Sequence, residues 1–526
     1  MDGCRAVIPV LDSRGMRAAD AAAIRGGIAS EDLMENAAAA LCRELRRSLP
    51  GAQRIVAVCG PGNNGGDGLA AARMLALSGA SVSVFTLRDA SAYSGDAASN
   101  AARARGVGLA LRSLAEPRGL AELRRELAQS DGVIDALFGT GVTRPLRGAA
   151  ERAVAAMNRS GKPILAADLP SGLSADGGTV PGPAVRAWRT VALGAPKACH
   201  VFPPASGFCG ELVVADIGIG RPVLARQAKR IWLSEAQDVS ALLPPRPRDS
   251  HKADFGRLAV IAGSRGKGGA AILAARGALR AGAGLVTVFC GESLALRIVS
   301  ALPEAMTWGL PESAGAIAEA GARELIAALS GFDAAVVGPG LGQAAGTVRF
   351  LEILLRGTRI PIVADADALN AFAGRPGLFA KRASPTVLTP HPGEAGRLLD
   401  RSSREIQADR LGAARALART SGAVVVLKGA HSLIAQRTGE VVVNPTGTPL
   451  LATAGSGDVL AGVIGALAAG GLSAADAATA GVWLHGAAAQ ALEPMLGDAG
   501  LLAHEIADAI PRVRRGLVGR PVPRDA

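Results

Sequence analysis

Gly455, Ser456, Gly457 and Asp458 stand directly before an apolar helical pattern at 459–469. Backbone N–H groups at such a helix start can hold a phosphate, because they have no partner within the helix and lie at the positive end of its dipole. Asp458 would then stand beside the phosphate, placed to take a proton from a hydroxyl nucleophile. The pattern favours phosphoryl-transfer chemistry. The alternative is a glycine-rich first turn in which Asp458 is an ordinary helix-start residue.

Polar residues also end three apolar runs upstream of that segment. The run 424–427 leads into Lys428 and Gly429, a turn suited to a nucleotide phosphate or base. Asp365 and Asp367 end a second run, and the segment TPHPGE, which contains His391 and Glu394, ends a third. Ligands of parallel sheets bind at the carboxyl ends of strands, so these side chains are candidates for one site.

The first half carries a glycine-rich loop, CGPGNNGGDG, at 59–68. Gly60, Gly62 and Gly65 satisfy the G-x-G-x-x-G pattern of dinucleotide cofactor sites. Such a site also needs an acidic residue at the end of the second strand, and that strand ends in Arg88 instead. The amide and carboxylate oxygens of this loop are suited to a ligand or a hard cation, whereas a tight turn with solvated polar side chains is the alternative.

Two more runs of the first half end in similar residues. Asp135 precedes a glycine turn, and Asp168 and Ser171 lie in the segment DLPSG. Together with Asn64 they predict a shared crevice at the carboxyl edge of a sheet. Any one of them alone is more typical of a helix N-cap.

Alternating elements must position these residues. Apolar runs at 55–59, 81–87, 131–137, 163–168 and 189–194 are separated by helical patterns, which predicts a parallel sheet covered on both faces. The proline-rich segment 242–248 interrupts the alternation, which restarts at 257–262. We therefore predict two α/β domains that join between about residues 220 and 250, assigned as 1–228 and 229–526.

Composition excludes several classes. The net charge is +12, but the basic residues are scattered and aromatics make up only 3%, so we predict no nucleic-acid partner. Six cysteines without a C-x-x-C pair argue against disulfides and zinc and favour the cytoplasm. The first residues lack a signal-peptide core, and the apolar run 459–475 is short for a membrane span, so we predict no membrane association.

The ordered set of motifs resembles a known family. GNNGGDG, DALFGTG and DLPSG look like the NAD(P)H-hydrate epimerases, and HKADFG, GPGLG, DADALN, TPHPGE, KGAHS and GSGDVLAG look like the ADP-dependent NAD(P)H-hydrate dehydratases. The two are fused in this order in bifunctional repair enzymes. The resemblance implies a Rossmann-like three-layer α/β/α domain followed by a ribokinase-like α/β domain. It also implies epimerisation of R and S hydrates of NADH and NADPH, and ADP-dependent dehydration of the S hydrate to give AMP and phosphate.

The same resemblance implies roles by position. In the epimerase half, Asp168 would be catalytic, and the hydrate would be held by Asn63, Asn64, Gly65, Gly66, Asp67, Gly139, Thr140, Gly141, Val142, Thr143, Arg144, Pro145 and Asp168. Potassium would be held by Asn64, Asp135 and Ser171. In the dehydratase half, which would also use Mg²⁺, Asp458 would be catalytic, and the hydrate would contact Ala253, Gly340, His391 and Asp458. ADP would be held by Lys428, Gly429, Ala430, His431, Ser432 and Gly457.

Three positions depart from the family pattern. Ala253 replaces a frequent glycine, Ser456 the usual threonine and Thr448 a frequent asparagine. None of these changes removes a charge. We expect a homo-oligomer that acts on small molecules. Two alternatives stay open: a small-molecule or vitamin kinase with an accessory N-terminal domain, and a non-catalytic binding protein that uses the basic surface.

Overall fold

The computed structural model describes residues 8–518, and the chain divides into two compact units. The N-terminal unit is Ile8–Ile231, and the C-terminal unit starts at Trp232. The sequence placed the boundary between 228 and 229. The outer ends of the two predicted domains, and Cys4, lie outside the described residues.

The N-terminal unit alternates strands and helices along most of its length. Its strands are β1 Ile8–Pro9, β2 Arg54–Cys59, β3 Ser81–Thr86, β4 Leu111–Ser113, β5 Gly132–Ala136, β6 Ile164–Ala167, β7 Arg189–Leu193 and β8 Glu211–Ala215. Its helices are α1 Ser13–Arg25, α2 Ser30–Ser48, α3 Asn63–Leu77, α4 Gly95–Gly106, α5 Pro117–Gln129, α6 Ala149–Arg159, α7 Ala198–Val201 and α8 Arg221–Gln227, with short 3₁₀ turns at Ala90–Ala92 and Ala205–Phe208.

Its main sheet is parallel and runs in the order β4-β3-β2-β5-β6-β7-β8. The central strands are buried on both faces, which explains why they read as continuous apolar runs. Two apolar clusters pack on this sheet, one mainly with α1, α2 and α3 and the other with α5 and α6. The predicted three-layer α/β architecture is confirmed.

The strand β9, Ile231–Leu233, spans the boundary between the units. The strands that follow are β10 Arg257–Ile261, β11 Leu285–Gly291, β12 Met306–Leu310, β13 Glu312–Ser313, β14 Ala316–Ile317, β15 Ala334–Val337, β16 Ile362–Ala364, β17 Thr386–Leu388, β18 Val424–Leu427, β19 Leu433–Ala435 and β20 Val441–Val443.

The helices of the C-terminal unit include one four-residue turn and several long helices. They are α9 Ala236–Leu242, α10 Gly268–Ala281, α11 Glu292–Ala301, α12 Gly321–Ala328, α13 Ala345–Gly357, α14 Asp367–Asn370, α15 Pro392–Leu399, α16 Ser403–Ala408, α17 Arg410–Ser421, α18 Ser456–Ala469, α19 Ala474–Leu496 and α20 Ala503–Val518. Short 3₁₀ turns lie at Lys252–Phe255, Leu329–Gly331, Pro376–Lys381 and Pro449–Leu451.

The strands of this unit pair in the order β20-β19-β18-β17-β16-β15-β10-β11-β12. Pairing from β12 to β18 is parallel, whereas β18, β19 and β20 are antiparallel neighbours. The helices α10 and α18 pack closely on one face, because a Cβ at Gly462 would overlap the carbonyl oxygen of Ala274. The predicted second α/β domain is confirmed.

Two details differ from the sequence-based expectation. The polar residues at 63–67, predicted as a loop, form the first turn of α3, which begins at Asn63 instead of near residue 68. The strands β4, β19 and β20 were not predicted, because three residues are too few to show a period. The equally short β16 and β17 were recognised by the polar motifs that follow them, at Asp365 and His391. The run 459–475 covers most of α18, the turn that follows it and the first two residues of α19. Within 8–518 no helix has the length and hydropathy of a membrane span.

Candidate functional site

A cavity of about 340 Å³ opens at the carboxyl ends of β2, β5, β6 and β7 in the N-terminal unit. We call it the N-terminal cavity. Residues after each of these strands contribute to its wall, and α1 closes one side with Met16 and Asp20. It therefore lies where parallel sheets bind ligands.

Asp168 follows β6 directly and lines this cavity. Its backbone has a φ of 64°, a left-handed conformation that is uncommon for a residue other than glycine. The Oδ1 atom accepts the N–H of Leu193 at 3.1 Å and is ion-paired with the ammonium of Lys197. Lys197 is fully buried and also donates to the carbonyl of Leu193 at 2.8 Å. The carboxylate is thus tied to the end of β7.

Two further carboxyl groups face Asp168. Burial, together with the charge of Asp168, raises the pKa of Asp20 to about 6. Burial, followed by the charges of Asp168 and Asp20, raises the pKa of Asp67 well above its usual value. Asp20, Asp67 and Asp168 therefore lie around the buried ammonium of Lys197, an arrangement suited to proton transfer, and Asp96 also lines the cavity.

The residues predicted to bind potassium supply further oxygen atoms in this unit. The buried carboxylate of Asp135 accepts the hydroxyl of Ser171 at 2.6 Å and the N–H of the same residue at 2.8 Å. Burial raises the pKa of Asp135 to about 6. The side-chain oxygen and nitrogen of Asn64 are both buried and have no hydrogen-bond partner among the described residues. An amide oxygen without a partner, a carboxylate and a hydroxyl are donor types that suit a hard cation.

A larger cavity of about 690 Å³ lies within the C-terminal unit, at the ends of β16 and β18 and the start of α18. We call it the C-terminal cavity. The loop 444–453 and the buried His485 complete its wall. Gly455 precedes α18 with a φ of 88°, which suits glycine, and the helix then begins at Ser456. The first N–H groups of α18 therefore lie at this cavity.

Asp458 stands in the first turn of α18 and lines the cavity. Burial, reinforced by the charge of Asp365, raises its pKa to about 7. The Nζ atom of Lys428 lies 2.8 Å from Oδ1 of Asp365 and 3.8 Å from a carboxylate oxygen of Glu394. Burial lowers the pKa of Lys428, but these carboxylates outweigh it and the net shift is upward. The ammonium of Lys428 and a carboxyl group with a pKa near neutrality, that of Asp458, thus line the same cavity.

His391 caps α15 at the same edge. Its Nδ1 accepts the N–H of Gly393 at 3.0 Å, and Glu394 in return accepts the N–H of His391 at 2.8 Å. Burial lowers the pKa of His391, so the neutral ring that this cap requires is favoured near neutral pH.

Comparisons with known proteins match both units. Residues 30–199 match the family model described as YjeF-related protein N-terminus, and residues 258–512 match the model described as NAD(P)H-hydrate dehydratase. The bifunctional NAD(P)H-hydrate repair enzyme Nnr of Moorella thermoacetica is 40% identical, and the match covers 92% of each chain. The chain belongs to the bifunctional NAD(P)H-hydrate repair enzymes. The recognition made from sequence is therefore confirmed.

Other members of this repair-enzyme family are similar over comparable lengths. Nnr of Escherichia coli is 35% identical over 93% of this chain and 90% of its own. Among solved structures, the ADP/ATP-dependent NAD(P)H-hydrate dehydratase from Bacillus subtilis, co-crystallised with ATP/Mg²⁺, is 34% identical. It covers 54% of this chain and 97% of its own, with a TM-score of 0.48.

In this repair-enzyme chain, the N-terminal cavity brings together about half of the residues predicted to hold a hydrate. The lining includes Asn63, Asn64, Asp67, Gly139, Thr140, Gly141 and Asp168. Gly65, Gly66 and the segment 142–145 are not in the lining. Gly65 lies against the carbonyl of Gly60, and Val142 is buried in an apolar cluster. Their predicted roles in binding stay predictions.

The C-terminal cavity brings together all the residues predicted to hold ADP, from 428 to 432 and Gly457, and also His391 and Asp458. Ala253 and Gly340 do not line it. Ala253 is exposed on the turn Lys252–Phe255, and the carbonyl of Gly340 accepts the hydroxyl of Ser264 at 2.8 Å.

Lys197 and Asp20 were not singled out from the sequence. Lys197 ends the segment GAPK after β7, and the end of a parallel strand was the available signal. Asp20 lies mid-helix in α1, where a single acidic residue gives no signal at all. Asp365 and Glu394 were noted as strand-end residues, but their ion pairs with Lys428 join residues distant in sequence.

Proposed function

We propose that this protein repairs hydrated NADH and NADPH in two steps. The N-terminal unit interconverts the R and S hydrates, and the C-terminal unit dehydrates the S hydrate with ADP, giving the reduced nucleotide, AMP and phosphate. Membership of the repair-enzyme family supports both steps. The observation that carries the second step is Asp458 at the start of α18, a carboxyl group with a pKa of about 7 in a cavity large enough for a nucleotide.

In the N-terminal cavity, Asp168 is proposed to move a proton at the hydrated ring, accepting it in one direction and returning it in the other. Asn63, Asp67 and the turn at 139–141 line the space where the ring would bind. The remaining predicted contacts, Gly65, Gly66 and 142–145, would act through the shape of the loops.

Water is a poor leaving group, so the proposed first step in the C-terminal cavity is phosphorylation of the substrate hydroxyl. Asp458 accepts the hydroxyl proton as the oxygen attacks the terminal phosphorus of ADP, and AMP leaves. Lys428 and the N–H groups near Gly457 would hold the phosphates. Loss of phosphate and of a ring proton then restores the reduced ring. Ala253, Gly340 and His391 are proposed to contact the hydrate.

Two metal ions belong to the proposal. Potassium would be held by Asn64, Asp135 and Ser171, where it would offset the buried charge of Asp135. Mg²⁺ commonly binds through substrate phosphates with one or two carboxylates, and Asp365, which lines the C-terminal cavity, would supply one. When bound, it would neutralise charge that develops on the transferred phosphoryl group.

We further propose a cytoplasmic homo-oligomer that acts on small molecules, with neither nucleic acid nor membrane as a partner. The five cysteines in the described part of the chain are all unpaired, which suits a reducing compartment.

The test uses purified full-length protein and a mixture of R and S hydrates, with and without ADP and Mg²⁺. We expect the near-ultraviolet absorbance of the reduced nicotinamide to return only with ADP, and both epimers to be consumed. Transfer of phosphate from ATP to a stable product, with no return of this absorbance, would favour the alternative of a small-molecule kinase.

A further inference from the structure

Lys197 is the feature of the N-terminal cavity that the proposed function leaves without a role. Its side chain is fully buried, which is rare for lysine unless the charge is paired. The pairing is with Asp168, the proposed proton-transfer group. A buried ion pair is weak evidence for stability, since desolvation offsets much of the attraction, and so a specific role is expected.

The surroundings fix this ammonium in place. Its Nζ donates to the carbonyl of Leu193 at 2.8 Å as well as to Asp168. The backbone N–H of Lys197 donates to Nδ1 of His200 at 2.9 Å. Burial lowers the pKa of His200 to about 3, which keeps this ring neutral and able to accept. Lys197 therefore cannot leave Asp168 without breaking buried hydrogen bonds.

The charges around Asp168 are otherwise unfavourable for a carboxylate. The titratable groups coupled to it are Asp20 from α1, Asp67 from α3, and Lys197, Cys199 and His200 from the segment after β7. Arg17 from α1 and Asp96 from α4 also line the N-terminal cavity. Lys197 is the cation that forms an ion pair with Asp168. Without it, the carboxyl group of Asp168 would face Asp20 and Asp67 with no cation bonded to it.

We infer that Lys197 is a positioning residue that holds the carboxylate of Asp168 by an ion pair, in its left-handed backbone conformation, beside the neighbouring Asp20 and Asp67. The inference rests on the proposed epimerisation. The left-handed conformation persists only where surrounding contacts enforce it, and the Lys197 and Leu193 bonds to Oδ1 are such contacts.

The test measures R-to-S conversion against pH in the full-length protein, in the wild type and in Lys197→Met. A base must be ionised, so the rate falls on the acidic side. We call this fall in rate at low pH the acidic limb of the profile. An opposite charge in contact with a carboxyl group typically lowers its pKa by about one to three. We expect Lys197→Met to move the acidic limb to higher pH by that amount. The rate should fall tenfold or more at the pH of the wild-type midpoint and recover at higher pH.

Three variants accompany this measurement. Lys197→Arg should move the limb back toward that of the wild type, because it restores the cation. Lys162→Met, which removes a lysine from the loop before β6, should keep the wild-type profile. Asp20→Asn should move the limb downward, because it removes a neighbouring negative charge, and it tests the same balance of charges if Lys197→Met does not fold.

A rate loss in Lys197→Met that is equal at every pH would show a merely structural role and overturn the inference, as would an unchanged profile in both Lys197→Met and Asp20→Asn. Dehydration of the S hydrate in the same preparation should stay at the wild-type rate. A wild-type protein that does not interconvert the hydrates would contradict the proposed function itself, and the inference with it.

Discussion

Asp458→Asn should separate chemistry from nucleotide binding in the C-terminal cavity. Asparagine has nearly the same size as aspartate, and the N–H groups at the start of α18 do not depend on this side chain. ADP should therefore bind with near-normal affinity. The amide cannot accept a proton, however, and a positioned general base contributes about a hundred- to ten-thousand-fold in rate. We expect a loss of S-hydrate turnover in that range.

The pKa of Asp458 also fixes the direction of the pH dependence. Because burial raises it to about 7, the wild type should gain dehydratase turnover as pH rises. About one-tenth of the carboxyl groups are ionised at pH 6 and about nine-tenths at pH 8. Turnover should therefore rise nearly tenfold over this interval, and the Asn variant should lose this rise.

The free energy of unfolding should fall as pH rises, whereas turnover rises. The folded-state pKa of Asp458 lies above the unfolded value, so ionisation disfavours the folded state. No cost applies below about pH 4, where the group is protonated in both states, and the full cost applies above about pH 7. The difference between a pKa of about 4 in the unfolded chain and about 7 in the folded protein corresponds to roughly 4 kcal/mol, so Asp458→Asn should unfold at a higher temperature than the wild type at pH 8.

The assay compares S-hydrate turnover, ADP affinity by calorimetry and melting temperature in one preparation. Asp476→Asn is the matched control, since it makes the same change in the first turn of α19, at a partly exposed position outside the cavity lining. It should leave turnover unchanged. Near-normal turnover in Asp458→Asn, or a wild-type rate that does not rise between pH 6 and 8, would refute Asp458 as the base.

Three further outcomes are expected. Asp168→Asn, which keeps a residue tolerant of the left-handed backbone, should lower R-to-S conversion at least a hundredfold and leave S-hydrate dehydration normal; unchanged conversion would contradict the assignment. Potassium chloride should raise the melting temperature of the N-terminal unit more than choline chloride at equal ionic strength, and Asp135→Asn should remove the difference; equal effects of the two salts would exclude a potassium site. Residues 232–526 expressed alone should dehydrate the S hydrate and leave the R hydrate, and consumption of both epimers would contradict the division between units.

The class of fold was predictable because its signal is local. Strands buried on both faces, such as β2 and β5, read as continuous apolar runs, and the proline-rich segment 242–248 lies in the C-terminal unit, shortly after the boundary at 231–232. The start of α3 was misplaced for a physical reason. Asn and Gly favour turns in isolation, but in the fold the glycines at 65 and 66 let the helix begin against neighbouring atoms without a Cβ in the way.

The candidate sites were predictable only as far as each strand end could be recognised. Asp168 and Asp458 follow clear patterns, and both line cavities. Other charged groups of these cavities come from distant parts of the sequence. Asp20 lines the N-terminal cavity from α1, and Asp365, after β16, forms an ion pair with Lys428, after β18. Such pairings depend on strand order, which a single sequence does not specify.

The glycines of the first loop bear on how this protein can be altered. A Cβ at Gly60 would overlap the carbonyl oxygen of Leu137, and one at Gly65 would overlap that of Gly60. In this chain, the first and third glycines of the G-x-G-x-x-G pattern are explained by close contacts between backbone segments. Searches for dehydrogenases by this pattern will select the chain wrongly. Libraries aimed at new substrates should vary Asn63 and Thr140, whose side chains border the cavity, and leave both glycines fixed.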